Sequence, residues 1–287
     1  MSNKNFRIEE VKNENIKLRL PVFICDNVLK GHDHEIQYPA PRHHFYMVYS
    51  GTAGSGKTSC ALAMLKNKKL YKGVFDNVVV IMPYNSLKSL KSNPFKRLDP
   101  EKVFHDLNEE VLQRVFQMVS EWSDDGENTL LFIDDMAAEL KNKETRKLFN
   151  MLIQNRRHLR VSIMMCVQRL NAIPLDNRKL ISHIIQFAIA NKKEWTNVYD
   201  ELIFQPKEVM EEVKKLCFKN KKKGDFLYID VEKNKLYNKF NRLNIISNDI
   251  SNGKGKIQIP KSGEKSQKER EGCPCPEKKE EEKSGTS

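Results

Sequence analysis

The feature that most constrains the fold of this chain is a glycine-rich segment, Gly51-Thr52-Ala53-Gly54-Ser55-Gly56-Lys57-Thr58. It matches the pattern G-x-x-x-x-G-K-[ST] at every fixed position and follows an apolar run, Phe45–Tyr49, that is too short for a helix. Glycines permit a tight loop whose backbone N–H groups surround phosphate oxygens, and a following helix adds its positive dipole end. The pattern therefore predicts a strand, a phosphate-binding loop and a helix, in that order.

Two side chains of this loop have expected roles at a bound nucleoside triphosphate. Lys57 should reach the β- and γ-phosphates, and the hydroxyl of Thr58 should ligate Mg²⁺. The alternative is a chance turn of Gly and Ser, which a match of eight residues between a strand and a helix makes much the weaker interpretation.

A second motif, Leu130-Leu131-Phe132-Ile133-Asp134-Asp135, places two carboxylates after four apolar residues. It predicts a buried strand that delivers both acids to its carboxyl end, where open α/β sheets bind ligands. Asp134 is expected to hold Mg²⁺ through water, and Asp135 to orient or deprotonate an attacking water. The alternative for this pair is the start of a helix, because aspartate is a good N-cap residue.

Strands alternate with helices along the chain, which predicts an α/β fold of the P-loop NTPase type, with a mostly parallel central sheet flanked by helices. The predicted strands are Phe45–Tyr49, Val74–Met82, Leu130–Ile133, Val161–Val167 and Ile184–Ala190, and the predicted helices are Ser59–Leu70, 101–122 and Ala137–His158. Two further runs, Phe226–Val231 and Lys235–Phe240, predict a β-hairpin added at one edge of the sheet.

The expected domain organisation is an N-terminal extension over residues 1–44, an ATPase domain over 45–246 with its hairpin near 225–240, and a disordered charged tail over 247–287. Residues 251–287 contain only Ile257 and Ile259 as aliphatic residues, too few to offset the entropy lost on folding. No apolar run has the length of a membrane span, and the N-terminus lacks the apolar core of a signal peptide. A secreted or membrane protein is therefore not expected.

The positive charge of the chain is concentrated in one stretch. The net charge is +12, and residues 141–180 carry ten Lys or Arg against only Glu144 and Asp176. This distribution predicts a polyanionic partner, and the alternative is a solvated basic face without one.

The order of the motifs indicates a particular branch of P-loop proteins. A strand and a helix lie between the glycine-rich loop and Asp134, and a second acid follows Asp134, as in the ATPases with an additional strand and a catalytic acid. Gln168 ends the predicted strand Val161–Val167, where it could sense the γ-phosphate, hold the attacking water, or simply be a polar residue at the end of a strand.

A GTPase is a weaker interpretation. Asn191-Lys192-Lys193-Glu194 resembles the guanine-reading Asn-Lys-x-Asp but ends in Glu, and Asp134-Asp135-Met136-Ala137 lacks the glycine of Asp-x-x-Gly. Two other functions remain open: a small P-loop phosphotransferase, and a non-enzymatic DNA-binding protein that keeps nucleotide as a structural ligand.

Taken together, the motifs resemble the genome-packaging ATPases of large double-stranded DNA viruses, within the FtsK/HerA superfamily of P-loop DNA translocases. The resemblance covers roughly residues 45–240, and its most specific parts are Asn150–Gln168, Arg169–Pro174 and Asn191–Trp195. It implies a homo-oligomeric ring, a pentamer or a hexamer, that hydrolyses ATP to drive duplex DNA into a capsid. It also implies capsid or virion proteins as docking partners, and a location at viral assembly sites in the host cytoplasm or in the virion.

The resemblance further implies roles for individual residues: Lys57 and Thr58 at the nucleotide, Asp134 at the metal, Asp135 as the base and Gln168 as the sensor. Related translocases often have Glu where this chain has Asp135, so the base is a departure from the pattern.

Arg156 and Arg157 are expected to act on the ATP of a neighbouring subunit. The predicted helix that carries them starts just after Asp135. About twenty residues at ~1.5 Å each take the chain about 30 Å from the side of the sheet where the nucleotide is expected. An arginine side chain cannot return that far. The alternatives for these residues are DNA binding and capping of the helix C-terminus.

Overall fold

The computed structural model describes residues 36–90, 93–189, 191–203, 205, 207–219, 224–246 and 256–258. In chain order, the strands of these residues are β1 (Tyr46–Ser50), β2 (Asn77–Ile81), β3 (Val103–Phe104), β4 (Thr129–Asp134), β5 (Val161–Val167), β6 (His183–Phe187), β7 (Phe226–Asp230), β8 (Lys235–Asn238), β9 (Asn241–Arg242), β10 (Asn244–Ile246) and β11 (Lys256–Gln258).

The α-helices of the described residues are α1 (Lys57–Lys66), α2 (Tyr84–Lys88), α3 (Glu109–Asp124), α4 (Lys143–Gln154), α5 (Leu175–Arg178), α6 (Lys192–Leu202) and α7 (Lys207–Phe218). Short 3-10 helices lie at Pro100–Lys102, Ala137–Lys141 and Leu170–Ala172. None of these helices has the length and apolar character needed to cross a bilayer.

Nine strands form the central sheet in the spatial order β3-β2-β4-β5-β1-β6-β7-β8-β9. The pairs from β3 to β6 are parallel, and β7, β8 and β9 extend the sheet antiparallel from β6. The predicted mostly parallel sheet is therefore confirmed, with the hairpin formed by β7 and β8 on one side of it. Because β5 lies between β1 and β4, the segments that follow these three strands emerge next to one another.

The sheet is covered on both faces, which explains why its central strands read as continuous apolar runs. Every residue of β1, β4, β5 and β6 is buried. One face packs against apolar side chains of α3, α4, α6 and α7, among them Val115, Phe149, Trp195 and Val213. The other face packs against α1 and against Tyr71 and Phe95.

All three predicted helices differ from the structure in their bounds, and the one predicted over Ser59–Leu70 runs from Lys57 to Lys66. The helix predicted over 101–122 begins only at Glu109, where the side chain of Asn108 accepts a hydrogen bond from the backbone of Val111 at 2.9 Å. Val103–Phe104 instead form the edge strand β3. The helix predicted over Ala137–His158 is a 3-10 turn followed by α4, because Asn142 caps the backbone amides of Glu144 and Thr145 at 2.9 and 3.1 Å.

The tail predicted to be disordered contains one short strand. Lys256–Gln258 form β11, which pairs antiparallel with β10 so that Ile257 lies opposite Ile245 in the register. The prediction is wrong for these three residues. The rest of 247–287 lies outside the described residues, as do residues 1–35 of the predicted N-terminal extension.

Candidate nucleotide-binding site

The glycine-rich loop has the backbone conformation that its sequence predicts. Gly54 and Gly56 have φ angles of +74° and +106°, in the left-handed region that glycine adopts without a steric penalty. At Gly51 the restriction is contact rather than conformation, because a Cβ atom there would lie 2.7 Å from Cβ of Phe187. The loop therefore folds tightly between the end of β1 and the start of α1, beside β6.

The interior of the loop presents hydrogen-bond donors. The ammonium of Lys57 donates to the backbone oxygen of Thr52 at 3.0 Å, which folds the side chain back over the loop. The hydroxyl oxygen of Ser55 is buried and has no hydrogen-bond partner among the described residues. The first backbone N–H groups of α1 also lack intrahelical acceptors. A phosphate group supplies acceptor oxygens for donors of all three kinds, so the loop fits a nucleotide.

Thr58 and Asp134 meet across the crevice between the loop and β4. The hydroxyl of Thr58 donates to Oδ2 of Asp134 at 2.9 Å. Burial raises the pKa of the Asp134 carboxyl, and the hydrogen bond from Thr58 acts in the opposite direction. A hydroxyl and a carboxylate are the oxygen donors that Mg²⁺ prefers, and Mg²⁺ commonly takes only one or two protein ligands together with substrate phosphates. These two side chains fit that pattern.

Asp135 and Gln168 form the second pair of the site. The side-chain amide of Gln168 donates to both carboxylate oxygens of Asp135, with both distances 3.0 Å. Asp135 has a φ angle of +56°, and its backbone N–H donates to the oxygen of Cys166 on β5 at 3.1 Å. That bond continues the hydrogen-bond ladder between β4 and β5 beyond Asp134. It directs the exposed carboxylate of Asp135 toward Gln168, which follows β5. The predicted residues of the loop, the acid pair and Gln168 thus lie together at the carboxyl ends of the parallel strands, hereafter the nucleotide edge of the sheet.

The structure places Arg156 and Arg157 at the amino ends of the parallel strands, opposite the nucleotide edge, as the sequence predicts. The backbone oxygen of Arg156 accepts from the N–H of Val161 at the start of β5. Seven residues of β5 at ~3.3 Å each separate this point from Gln168 by about 23 Å. The route differs from the prediction, because α4 has 12 residues rather than about twenty.

Arg156 is engaged within its own chain. Its Nε donates to the backbone oxygen of His44 at 2.7 Å, one terminal nitrogen donates to the oxygen of Ile153 at 3.1 Å, and the other lies 3.5 Å from a carboxylate oxygen of Glu232. Burial lowers the pKa of this guanidinium. These contacts join the end of α4 to the segment before β1 and to the β7–β8 turn, which is a structural role.

Arg157, unlike Arg156, is accessible to solvent. Its side chain is exposed, and no described residue forms a hydrogen bond or ion pair with its guanidinium. It lines a pocket together with His43, Glu232 and Lys233. Of the two arginines, Arg157 is the one that another molecule can reach.

The basic stretch 141–180 is less positive in the folded chain than its sequence indicates. Arg178 forms two short hydrogen bonds with the carboxylate of Glu201, at 2.6 and 2.8 Å. Three more of its arginines lie within 4 Å of an acid, namely Arg146 near Asp176, Arg156 near Glu232 and Arg169 near Glu194. Sequence analysis missed these pairs because three of the four acidic partners lie outside the stretch.

The segment that resembles a guanine-reading motif has a structural role. The side chain of Asn191 accepts from the backbone N–H of Lys193 at 2.8 Å and so caps α6. Glu194 lies 3.4 Å from Arg169. The motif therefore gives no support to a GTPase.

Comparison with known proteins agrees with this arrangement. Residues 39–258 match the family profile described as Poxvirus A32 protein. Among curated proteins, none matches the chain. Among solved structures, the DNA-packaging ATPase B204 from Sulfolobus turreted icosahedral virus matches with a TM-score of 0.53 and 16% identity, over 68% of this chain and 97% of that chain.

The genome packaging NTPase B204 from Sulfolobus turreted icosahedral virus 2 is also similar. Its complex with ATP-gammaS matches with a TM-score of 0.51 and 19% identity, and its complex with AMPPCP with 0.51 and 20%. In both cases the match covers 67% of this chain and 95% of that chain. At these identities the similarity is one of fold.

Proposed function

Because the chain belongs to the Poxvirus A32 protein family, we propose that it is an ATPase that translocates duplex DNA and packages a viral genome into a capsid. The observation that carries this proposal is the arrangement of two pairs at one sheet edge, Thr58 with Asp134 and Asp135 with Gln168. The first pair can hold the metal ion of a bound triphosphate. The second pair can orient and deprotonate a water molecule beside the γ-phosphate. The B204 proteins, named as packaging enzymes, share the fold.

In this proposal the chain's own residues perform three tasks at the nucleotide. The loop amides and Lys57 bind the phosphates, with Lys57 exchanging the oxygen of Thr52 for phosphate oxygens. Thr58 and Asp134 hold Mg²⁺, which when bound neutralises charge on the phosphates. Asp135 accepts the proton of the attacking water, and Gln168 orients its carboxylate.

Arg157 completes the site of a neighbouring subunit. It lies too far from Gln168 to reach the nucleotide of its own chain, so the ATP on which it acts is that of another chain. A guanidinium there stabilises the charge that develops on the transferred phosphoryl group. The proposal includes the ring of five or six copies that the resemblance to packaging ATPases implies, and Arg156 keeps its role within its own chain.

The remaining features of the proposal follow from packaging. Duplex DNA is the polyanionic partner, and capsid or virion proteins are the docking partners. The protein acts at viral assembly sites in the host cytoplasm or in the virion. The ATPase domain spans 45–246.

An ATPase assay with and without duplex DNA tests this function. Phosphate release that rises on addition of DNA supports a translocase. Binding of nucleotide without turnover would instead indicate a non-enzymatic DNA-binding protein. Turnover only with a small acceptor would indicate a phosphotransferase.

A further inference from the structure

An exposed aromatic pair lies outside the site described above. The ring of Tyr84 is 60% exposed and packs edge-on against the ring of His105, with centroids 5.3 Å apart and an angle of 89°. Large aromatic side chains contribute most to stability when they are buried. Tyr84 is instead exposed and supported by the ring of His105, so its ring is available to bind another molecule. The two residues are 21 positions apart in sequence, which is why no sequence motif reveals them.

Hydrogen bonds of the sheet hold this pair at the nucleotide edge. Met82 follows β2, and its N–H donates to the oxygen of Phe104 at 3.0 Å. The Nδ1 of His105 lies 3.1 Å from the oxygen of Met82, so it must donate there, and Nε2 is the ring nitrogen directed away from Met82. The backbone therefore fixes the imidazole, and the imidazole supports Tyr84.

The register places the pair beside the catalytic acids. Ile81 of β2 lies opposite Ile133 of β4, so the segment from Met82 to Tyr84 leaves the sheet level with Asp134 and Asp135. Adjacent strands are ~4.8 Å apart. Tyr84 and Asp135 therefore follow adjacent strands on the same side of the sheet.

The segment that carries Tyr84 is basic, whereas the segment that carries His105 also contains exposed acids, among them Asp106 and Glu109. Residues 83–98 contain four cations and no Asp or Glu, the cations being Lys88, Lys91, Lys96 and Arg97. Lys88, Lys96 and Arg97 are exposed, and none forms an ion pair with a described residue. This contrasts with residues 141–180, where four arginines are paired with acids. The charge near Tyr84 is therefore available to an external polyanion.

We propose that Tyr84, Lys88 and His105 form a contact surface for the sugar-phosphate backbone of duplex DNA, hereafter the Tyr84 surface. The hydroxyl of Tyr84 and the ammonium of Lys88 donate to phosphate oxygens without reading sequence, and His105 contributes by holding the ring of Tyr84. This inference rests on the proposed function and names the residues through which the motor holds its substrate. It lies one strand from Asp135, on the side of the sheet that carries the nucleotide site.

The test measures the affinity of the full chain for a labelled duplex by fluorescence anisotropy at several salt concentrations. Lys88→Ala should make the negative slope of log affinity against log salt shallower by about 0.9, because one phosphate contact is lost. Tyr84→Ala should weaken binding severalfold at each salt concentration while leaving that slope unchanged. Lys68→Ala, which removes an exposed cation just after α1 and outside the basic stretch 141–180, is the matched control and should retain the wild-type slope.

Each other outcome has a defined meaning. If wild-type chain binds duplex and both variants at Lys88 and Tyr84 bind equally well, the Tyr84 surface is overturned while the proposed function stands. If the wild-type chain loaded with a non-hydrolysable ATP analogue binds no DNA, both proposals fail. A loss of affinity for single-stranded DNA alone in Tyr84→Ala would also overturn the assignment to duplex. Tyr84→Phe keeps the ring against His105 and should lose only part of the affinity, and thermal melting confirms that each variant is folded.

Discussion

The side-chain amide of Gln168 lies 3.0 Å from both carboxylate oxygens of Asp135, so one residue at the end of β5 holds the acid that follows β4. The amide nitrogen carries two N–H groups, and a nitrogen equally distant from both oxygens directs one of them between the two. The second N–H is then available to an oxygen of a γ-phosphate. This gives a physical basis for a sensor, because one side chain can contact both Asp135 and the nucleotide.

The role of Asp135 as the base predicts a separation between binding and turnover. Asp135→Asn keeps the shape of the side chain and removes its ability to take a proton. Turnover should fall by ~10²- to 10⁴-fold, the range for loss of a general base. Affinity for a non-hydrolysable ATP analogue, measured by calorimetry in the presence of Mg²⁺, should change little. An equal loss of nucleotide affinity would instead place Asp135 among the metal ligands.

Lys57→Ala should abolish turnover without unfolding the chain. Among the described residues, the ammonium of Lys57 donates a hydrogen bond only to an oxygen of its own loop, so its loss costs the fold little, whereas the phosphates lose a positive charge. Phosphate release and a circular dichroism melt measure the two effects. Lys68→Ala, an exposed lysine just after α1, is the control and should resemble wild type in both. A collapsed melt for Lys57→Ala would contradict a role confined to phosphate.

Asp134→Asn should stabilise the chain in the absence of nucleotide. Burial raises the pKa of this carboxyl, so the folded state binds the proton more tightly than the unfolded state and loses stability as pH rises through the raised pKa. An amide removes that cost, and a gain of ~1 kcal/mol corresponds to about 2–4 °C in melting temperature. The same variant should lose the extra stability that wild type gains from Mg²⁺ and ATP. Melting curves at pH 7 with and without both ligands measure this, and a lower melting temperature for the unliganded variant would contradict it.

How much the sequence could predict depended on whether the deciding interaction was local. The bounds of β5 were correct at both residues, because the apolar run Val161–Val167 ends abruptly at Arg160 and Gln168. Phe104 was wrongly placed in a helix, because it lies three residues from Leu107 and so fits the helical period, and only pairing with β2 makes it a strand residue.

Charge pairing was the least predictable feature. Arg178 is 23 residues from Glu201, and Arg156 is 76 residues from Glu232, so nothing in the basic stretch itself reveals that these cations are neutralised. The meeting of Thr58 with Asp134 could be predicted, since Thr58 follows β1 through the glycine-rich loop, Asp134 ends β4, and the carboxyl ends of parallel strands lie on the same side of a sheet.

Truncation after Asn248 should leave ATPase activity essentially unchanged. It removes β11, which pairs only with β10 in a two-stranded sheet separate from the central sheet. The nucleotide edge is formed by residues that follow β1, β4 and β5, and none of these belongs to that small sheet. Phosphate release by the truncated and full chains at equal concentration checks this. A loss of turnover with an unchanged melting temperature would show that the tail contributes to the site.

The last prediction concerns Arg157 and uses mixed rings. An Arg157→Ala chain and a Lys57→Ala chain should each be inactive alone, the first by ~10³-fold if the guanidinium acts as in other phosphoryl-transfer enzymes. Mixed, they should recover part of the activity, because some interfaces pair an intact loop from the first chain with an intact Arg157 from the second. Arg156→Ala provides the contrast, since it removes contacts to His44, Ile153 and Glu232 within its own chain and should lower the melting temperature. If light scattering shows that mixed rings assemble and phosphate release stays absent, Arg157 does not act on a neighbour.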